Sequence, residues 1–211
     1  MSKWIKGETH NGQAGQDVFV MKCLEEKVSG YFLEIGSNHY SFHSNTYFLE
    51  TKYGWSGLLV EYDPQFESQY KLHRPNSKYI INDATKIDFK AALDNLKAPL
   101  NIDYLQIDLD VNNKSTIQTL ENLNTQIIDK YKFATVTFEH DIYTGDFFNT
   151  RARSREIFAK RGYTLVFPDV QWCPGQPFED WYAHPDLTDK NYIDKIKTDA
   201  SLLYTDVLNK L

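Results

Sequence analysis

The sequence predicts a doubly wound α/β fold, a mostly parallel sheet with helices on both faces, and three observations carry that prediction. Short runs rich in β-branched and aromatic residues alternate with longer segments of helical period. Several of the short runs are apolar throughout, as strands covered on both sides are. Five successive runs end in carboxylates: Glu34, Glu61, Asp83, Asp108 and Glu139. The 211 residues, 41% hydrophobic, 25% charged and 15% aromatic, supply the apolar surface for one continuous core and one domain over 1–211. Disordered and fibrous architectures are excluded.

The strands predicted in chain order are Tyr31–Ile35, Leu58–Tyr62, Tyr79–Ile81, Tyr104–Leu109, Ala134–Phe138 and Tyr163–Phe167. Helices fall between them. Thr46–Lys52 stops before Gly54, Pro64–Leu72 places proline where a helix starts, and Phe89–Leu96 and Thr116–Lys130 follow. Ser115 and Gln118 have capping-box spacing, and Ser154–Arg161 ends before Gly162. A last amphipathic helix over Lys190–Leu211 carries Tyr192, Ile193, Ile196, Leu203, Val207 and Leu211 on one side. It packs on the sheet or on a second copy of the chain. No internal repeat or low-complexity linker interrupts the rhythm.

Lysine and arginine number 23 against 29 aspartates and glutamates, a net charge of −6 that disfavours nucleic acid as a partner. Arg151, Arg153 and Arg155 form the one short basic stretch, read as a solvated helix start. Met1–Gly15 is polar and lacks an export signal, and no apolar run approaches the roughly 20 residues that span a bilayer. Cys23 and Cys173 lie in unrelated contexts without zinc spacing. A reducing cytoplasm and no membrane insertion are the expectations.

In a doubly wound sheet, ligands sit beyond the carboxyl ends of the strands where the strand order reverses. Gly36 follows the first strand and permits close backbone approach. Glu61, 25 positions later, ends the second strand, where a carboxylate accepts protons from ribose hydroxyls. The segment Gly36-Ser37-Asn38-His39-Tyr40-Ser41 lacks both later glycines of a dinucleotide fingerprint, which disfavours NAD and FAD. A P-loop, a nucleophile elbow and a zinc helix are also missing. A nucleoside without a diphosphate remains.

Tyr31-Phe-Leu-Glu-Ile-Gly-Ser-Asn38, Ser44-Asn-Thr-Tyr-Phe-Leu-Glu50, Gly54-Trp-Ser-Gly57 and Leu59-Val-Glu61 resemble the first half of FkbM-type methyltransferases. Ile102-Asp-Tyr-Leu-Gln-Ile-Asp108, Thr137-Phe-Glu-His140 and Ser154-Arg-Glu-Ile-Phe158 through Gly162-Tyr163 resemble later family motifs in the right order. The resemblance covers roughly 15–169, leaving 170–211 as a C-terminal extension. It implies the class I, Rossmann-like methyltransferase fold, a seven-stranded sheet parallel but for one strand. It also implies S-adenosylmethionine as cofactor and methyl transfer to a hydroxyl of a sugar, glycan or similar small acceptor. Carried over by position, Glu34, Gly36, Ser37 and Asn38 would cradle the methionine part of the cofactor. Glu61, with Tyr62 beside it, would hold the ribose, Asp83 and Ala84 would face the adenine, and Asp108 would lie near the sulfonium and the acceptor. Two departures bear on the site: His39-Tyr40 replaces the usual Asp-Gly, and Leu109-Asp110 replaces the usual Glu-Gly after Asp108.

Methyl transfer to an oxygen needs a positioned base. His140 is the first candidate, since imidazole titrates near neutrality and Glu139 or Asp108 would orient it; a strand-end capping role is the alternative. His39 is the second candidate. Asp108, Asp110, Glu139, His140 and Asp141 would alternatively converge on a divalent metal, giving a metal-assisted O-methyltransferase. A non-catalytic binding module with the same fold is the reading from another class. Tyr143–Phe148 is the expected lid, and Phe178–Pro185 either closes the acceptor pocket or forms a plain hairpin or surface loop.

Overall fold

The computed structural model describes residues 10–211, so the polar stretch over 1–9 lies outside the described residues. The strands are β1 (Tyr31–Ile35), β2 (Ser56–Glu61), β3 (Lys78–Ile81), β4 (Asn101–Ile107), β5 (Lys132–Glu139), β6 (Thr164–Gln171) and β7 (Pro177–Ala183). Among the described residues they form one seven-stranded sheet of order β3-β2-β1-β4-β5-β7-β6. The pairings from β3 across to β5 are parallel, and β7 runs antiparallel to both β5 and β6. This is the predicted doubly wound sheet with its single reversed strand, and the order turns back between β1 and β4.

The helices are α1 (Gln16–Cys23), α2 (Tyr47–Tyr53), α3 (Glu67–His73), α4 (Phe89–Asn95), α5 (Ser115–Gln126), α6 (Phe148–Lys160), α7 (Lys190–Ile196) and α8 (Tyr204–Lys210). Two apolar layers sandwich the sheet. On one face Leu33, Ile35, Leu58 and Val60 meet Leu93 of α4, Leu120 and Leu123 of α5 and Phe158 of α6. On the other, Phe32, Leu59 and Tyr104 meet Phe19 of α1, Leu49 of α2, Tyr70 of α3, Ile193 of α7 and Val207 of α8. Trp55 is fully buried and donates its indole N–H to the Lys27 carbonyl at 2.8 Å, the packing role expected of a tryptophan beside a turn glycine.

Several boundaries depart from the sequence reading for physical reasons. Helix α1 has no counterpart in the sequence reading, because it carries no amphipathic stripe: Gln16 through Met21 and Cys23 are all buried. The segment at Phe178 is not a surface loop but β7, the second arm of an antiparallel hairpin with β6, buried along most of its length. Its charges conceal it: Glu179 is satisfied on one face by Gln16 and Trp181, and Asp180 on the other by Arg155. The last helix is two short ones. Between them Thr198 donates to the Val166 carbonyl and Gln171 to the Leu202 carbonyl, so the chain leaves the helix to follow the β6 edge. The capping box at Ser115 does not form, since Lys114 takes the cap position in a left-handed conformation and the Ser115 hydroxyl bonds Asn113. The basic stretch lies inside α6, which begins six residues before Ser154, and two of its arginines are ion-paired against the sheet.

Candidate functional site

The carboxyl ends of β1, β2, β4 and β5 open into a cavity of about 570 Å³ at the turning point of strand order. Glu34, Gly36, Ser37, Asn38, Glu61, Tyr62, Asp108 and Glu139 line it, together with Gln13, Phe42, His43, Gln106, Asp110 and Asp141. A second cavity of about 470 Å³ adjoins it between Tyr62, Asp83, Ala84, Leu109, Asp110, Asn113 and Ser115.

The first wall is the β1 turn. Gly36 has φ of +86°, and a Cβ there would lie 1.7 Å from the Asp108 carbonyl oxygen. Only glycine lets the chain end of β4 approach this closely. Ser37 ties the turn to β2 through its hydroxyl, which donates to the Glu34 and Val60 carbonyls at 3.0 and 3.3 Å. The Asn38 N–H donates to Glu61 Oε2 at 2.7 Å, while Glu61 Oε1 accepts from the N–H groups of Tyr62 and Asp63 at 2.8 and 2.9 Å. The Glu61 carboxylate thus bridges the first two strand ends.

Glu34 lines the cavity but has little freedom to serve a ligand. Its carboxylate accepts from the Asn45 N–H and from the hydroxyls of Ser44 and Thr46, with Arg74 3.8 Å away. Burial raises its pKa against those favourable contacts. Its place in the site is to hold the loop from β1 to α2. His39 is also engaged, because its Nδ1 accepts from the Ser41 and Phe42 N–H groups at 3.2 and 2.9 Å. Tyr40 stacks on His73, with ring centroids 4.2 Å apart. Neither His39 nor Tyr40 lines the cavity, so the bulk that replaces the small residues of the resembled motif turns away from it.

Asp83 and Ala84 stand in the second cavity, as their place after β3 predicts. The Asp83 carboxylate accepts from the hydroxyl and N–H of Thr85 and pairs with Lys86 at 2.9 Å, which together hold its pKa down at about 2. Tyr62 is 73% exposed and walls both cavities.

The far wall is acidic. Asp108 and Glu139 hydrogen-bond each other, and burial followed by the Asp108 charge pushes Glu139 well above the carboxylate range. The two carboxyl groups therefore hold one proton between them. Asp141 follows at φ of +46°, and burial and then the Asp108 charge raise its pKa to about 6. Behind this wall Glu179 is raised to about 8, chiefly by burial, although Gln16 and the Trp181 indole N–H donate to it.

His140 requires a correction, because the structure buries it completely and it does not line the cavity. Its Nε2 lies 3.5 Å from carboxylate oxygens of both Asp169 and Asp180, not against Asp108 or Glu139. Arg155 grips Asp180 through two N–H groups, each at 2.7 Å, and reaches Asp169 at 3.0 Å, while Arg151 meets Asp169 at 2.9 Å. Among the described residues His140, Asp169 and Asp180 are the one group of carboxylates and imidazole close enough to share a metal ion. Two guanidiniums already supply the positive charge there, so the cluster is an ion network joining α6 to β6 and β7. The metal convergence considered for Asp108, Asp110, Glu139, His140 and Asp141 is not the geometry found.

Sequence reasoning missed Gln13, Phe42, His43 and Gln106 as lining residues. His43 is, among the described residues, the one histidine that lines the cavity. Its distance in sequence from any strand end hid it. Among the described residues no helix is long and apolar enough to cross a membrane.

No family model matches the chain, and no curated protein matches it. Solved structures match it in fold. A TehB-like SAM-dependent methyltransferase from Corynebacterium glutamicum aligns over 84% of this chain and 89% of its own, at 13% identity and a TM-score of 0.53. A precorrin-6y C5,15-methyltransferase from Geobacter metallireducens aligns over 80% and 87%, at 11% identity and a TM-score of 0.51. A methyltransferase from Pyrococcus furiosus aligns over 86% and 87%, at 11% identity and a TM-score of 0.50. At such identities the likeness is one of architecture, and the chain has the class I methyltransferase fold.

Proposed function

We propose that this chain is an S-adenosylmethionine-dependent methyltransferase of FkbM type that methylates a hydroxyl of a sugar, glycan or similar small acceptor. The observation that carries the reading is the Glu61 carboxylate, which bridges the ends of β1 and β2 at the mouth of the cavity. A carboxylate there accepts from two ribose hydroxyls, and the adjoining cavity of about 470 Å³ offers Tyr62, Ala84 and Leu109 as apolar faces for a purine. The residues present fit the adenosyl group on these grounds. Bound there, the cofactor supplies an electrophilic methyl group on a sulfonium.

The chain's own residues then have distinct tasks. The turn at Gly36, Ser37 and Asn38 and the Asp108 carboxylate face the methionine end. Asp141, half-buried and with a pKa near 6, takes the proton from the acceptor hydroxyl, the role first sought for His140. The Asp108–Glu139 pair keeps a proton beside it and limits the charge at that wall. His140 and its two arginines hold the β5 end from behind.

The test is transfer of label from radiolabelled cofactor to a panel of sugars and glycans. Wild type is expected to label at least one, with Asp141→Asn and Glu61→Ala variants reduced to background. Label transferred equally by all three proteins would overturn the assignment. Cofactor binding without transfer to any member would favour the non-catalytic module.

A further inference from the structure

We propose that the acceptor subsite beyond the cofactor is built for a cationic, amine-bearing sugar, with Glu139, Asp141 and the Gln106 amide oxygen as its recognition groups. The inference rests on the methyltransferase reading and adds the class of acceptor.

The cavity lining includes Glu61, Asp108, Asp110, Glu139 and Asp141 and, among the described residues, no lysine or arginine. With Glu61 given to ribose and Asp108 to the cofactor, Glu139 and Asp141 still face the remaining space. An anionic acceptor would meet the charge of Asp141 and of the proton-sharing Asp108–Glu139 pair, with no lysine or arginine in the lining to offset it. The second sign is independent of charge. Gln106 is 2% exposed and lines the same cavity. Its Nε2 donates to Asp108 Oδ2 at 3.3 Å, while its Oε1 has no hydrogen-bond partner among the described residues. A buried amide oxygen without a donor is destabilising, and a ligand N–H would satisfy it.

A small metal ion matches this wall poorly. Asp108, Glu139 and Asp141 do not bring three ligand oxygens within sharing distance of one another, whereas the cluster that does is already held by Arg151 and Arg155. An ammonium on a sugar ring has the reach to meet carboxylates that stand apart, and it offers three donors to a wall made of acceptors. The same ring presents the hydroxyl to be methylated. That hydroxyl oxygen forms the new bond to the methyl carbon as the sulfur–methyl bond breaks, and its proton passes to Asp141.

The experiment titrates the protein with D-glucosamine, D-glucose and D-glucuronate, a matched cation, neutral and anion, each with and without saturating S-adenosylhomocysteine. Amide resonance shifts in the labelled protein give the affinities. D-glucosamine is expected to bind about tenfold tighter than D-glucose, with D-glucuronate weakest, and Asp141→Asn and Gln106→Leu should each erase most of that preference. If Gln106→Leu does not fold, Asp141→Asn carries the comparison alone. Equal affinity for the three sugars, preference for D-glucuronate, or no D-glucosamine binding in a protein that binds S-adenosylhomocysteine would overturn the inference. Failure to bind S-adenosylhomocysteine at all would instead overturn the methyltransferase reading beneath it.

Discussion

Glu61 makes three hydrogen bonds to backbone N–H groups in a site where a ligand must also reach it. Removing the carboxylate therefore loosens the β1 and β2 ends and deletes the ribose anchor together. Glu61→Ala is expected to weaken S-adenosylhomocysteine about a hundredfold by calorimetry, as loss of charge-assisted hydrogen bonds worth about 1.5–3 kcal/mol each implies. Asp141 sets the pH dependence. Its pKa rises from 3.8 to about 6 in the folded chain, so the proton-accepting form exists above that value and kcat should climb through it. A flat rate between about pH 5 and pH 8 would point away from Asp141 and from any imidazole as the base. Glu179 acts on stability instead. Its folded pKa is raised from 4.5 to about 8, so the protonated form favours folding and stability falls as pH rises across that interval. Glu179→Gln removes the loss, and its Tm should exceed that of wild type by about 4 °C at high pH while matching it in acid. The identities of Glu61, Asp83 and Asp108 as strand-end groups were legible from position alone. That His140 turns inward was not, because a residue after a strand can face either side and only the partners on β6 and β7 decide it.

Elements position these residues through a few contacts that sequence patterns do not display. Gly36 is one that they do display. Its φ of +86° and the 1.7 Å clash awaiting any Cβ couple the β1 turn to the β4 end, so Gly36→Ala should cost about 3 kcal/mol or more in denaturant unfolding. Arg155 fastens α6 to β7, and its removal leaves the buried Asp180 without its guanidinium. Arg155→Ala should destabilise by about 2 kcal/mol, less than for a fully buried pair because Arg155 keeps about a third of its side chain in water. Unfolding curves of both variants check these values. Strands β1 through β6 were readable as short runs rich in β-branched and aromatic residues between segments of helical period. β7 was hidden because Glu179 and Asp180 interrupt the pattern, and each is acceptable only through a partner distant in sequence. The split of the C-terminal helix was likewise invisible, since it follows from hydrogen bonds to the β6 edge.

At the scale of the molecule, the order β3-β2-β1-β4-β5-β7-β6 puts one crevice at the turn between β1 and β4, and the acidic strand ends gather around it. The alternation of strands and helices made that crevice predictable, while the charge of its far wall emerges only when the end of β5 is brought beside that of β4. The central claim is that this crevice holds an adenosyl group against Glu61. Calorimetric titration of S-adenosylhomocysteine into wild type and Glu61→Ala tests it most directly. One site of micromolar affinity in wild type, lost in the variant, is the predicted result; no binding to wild type, or equal binding to both, would contradict it.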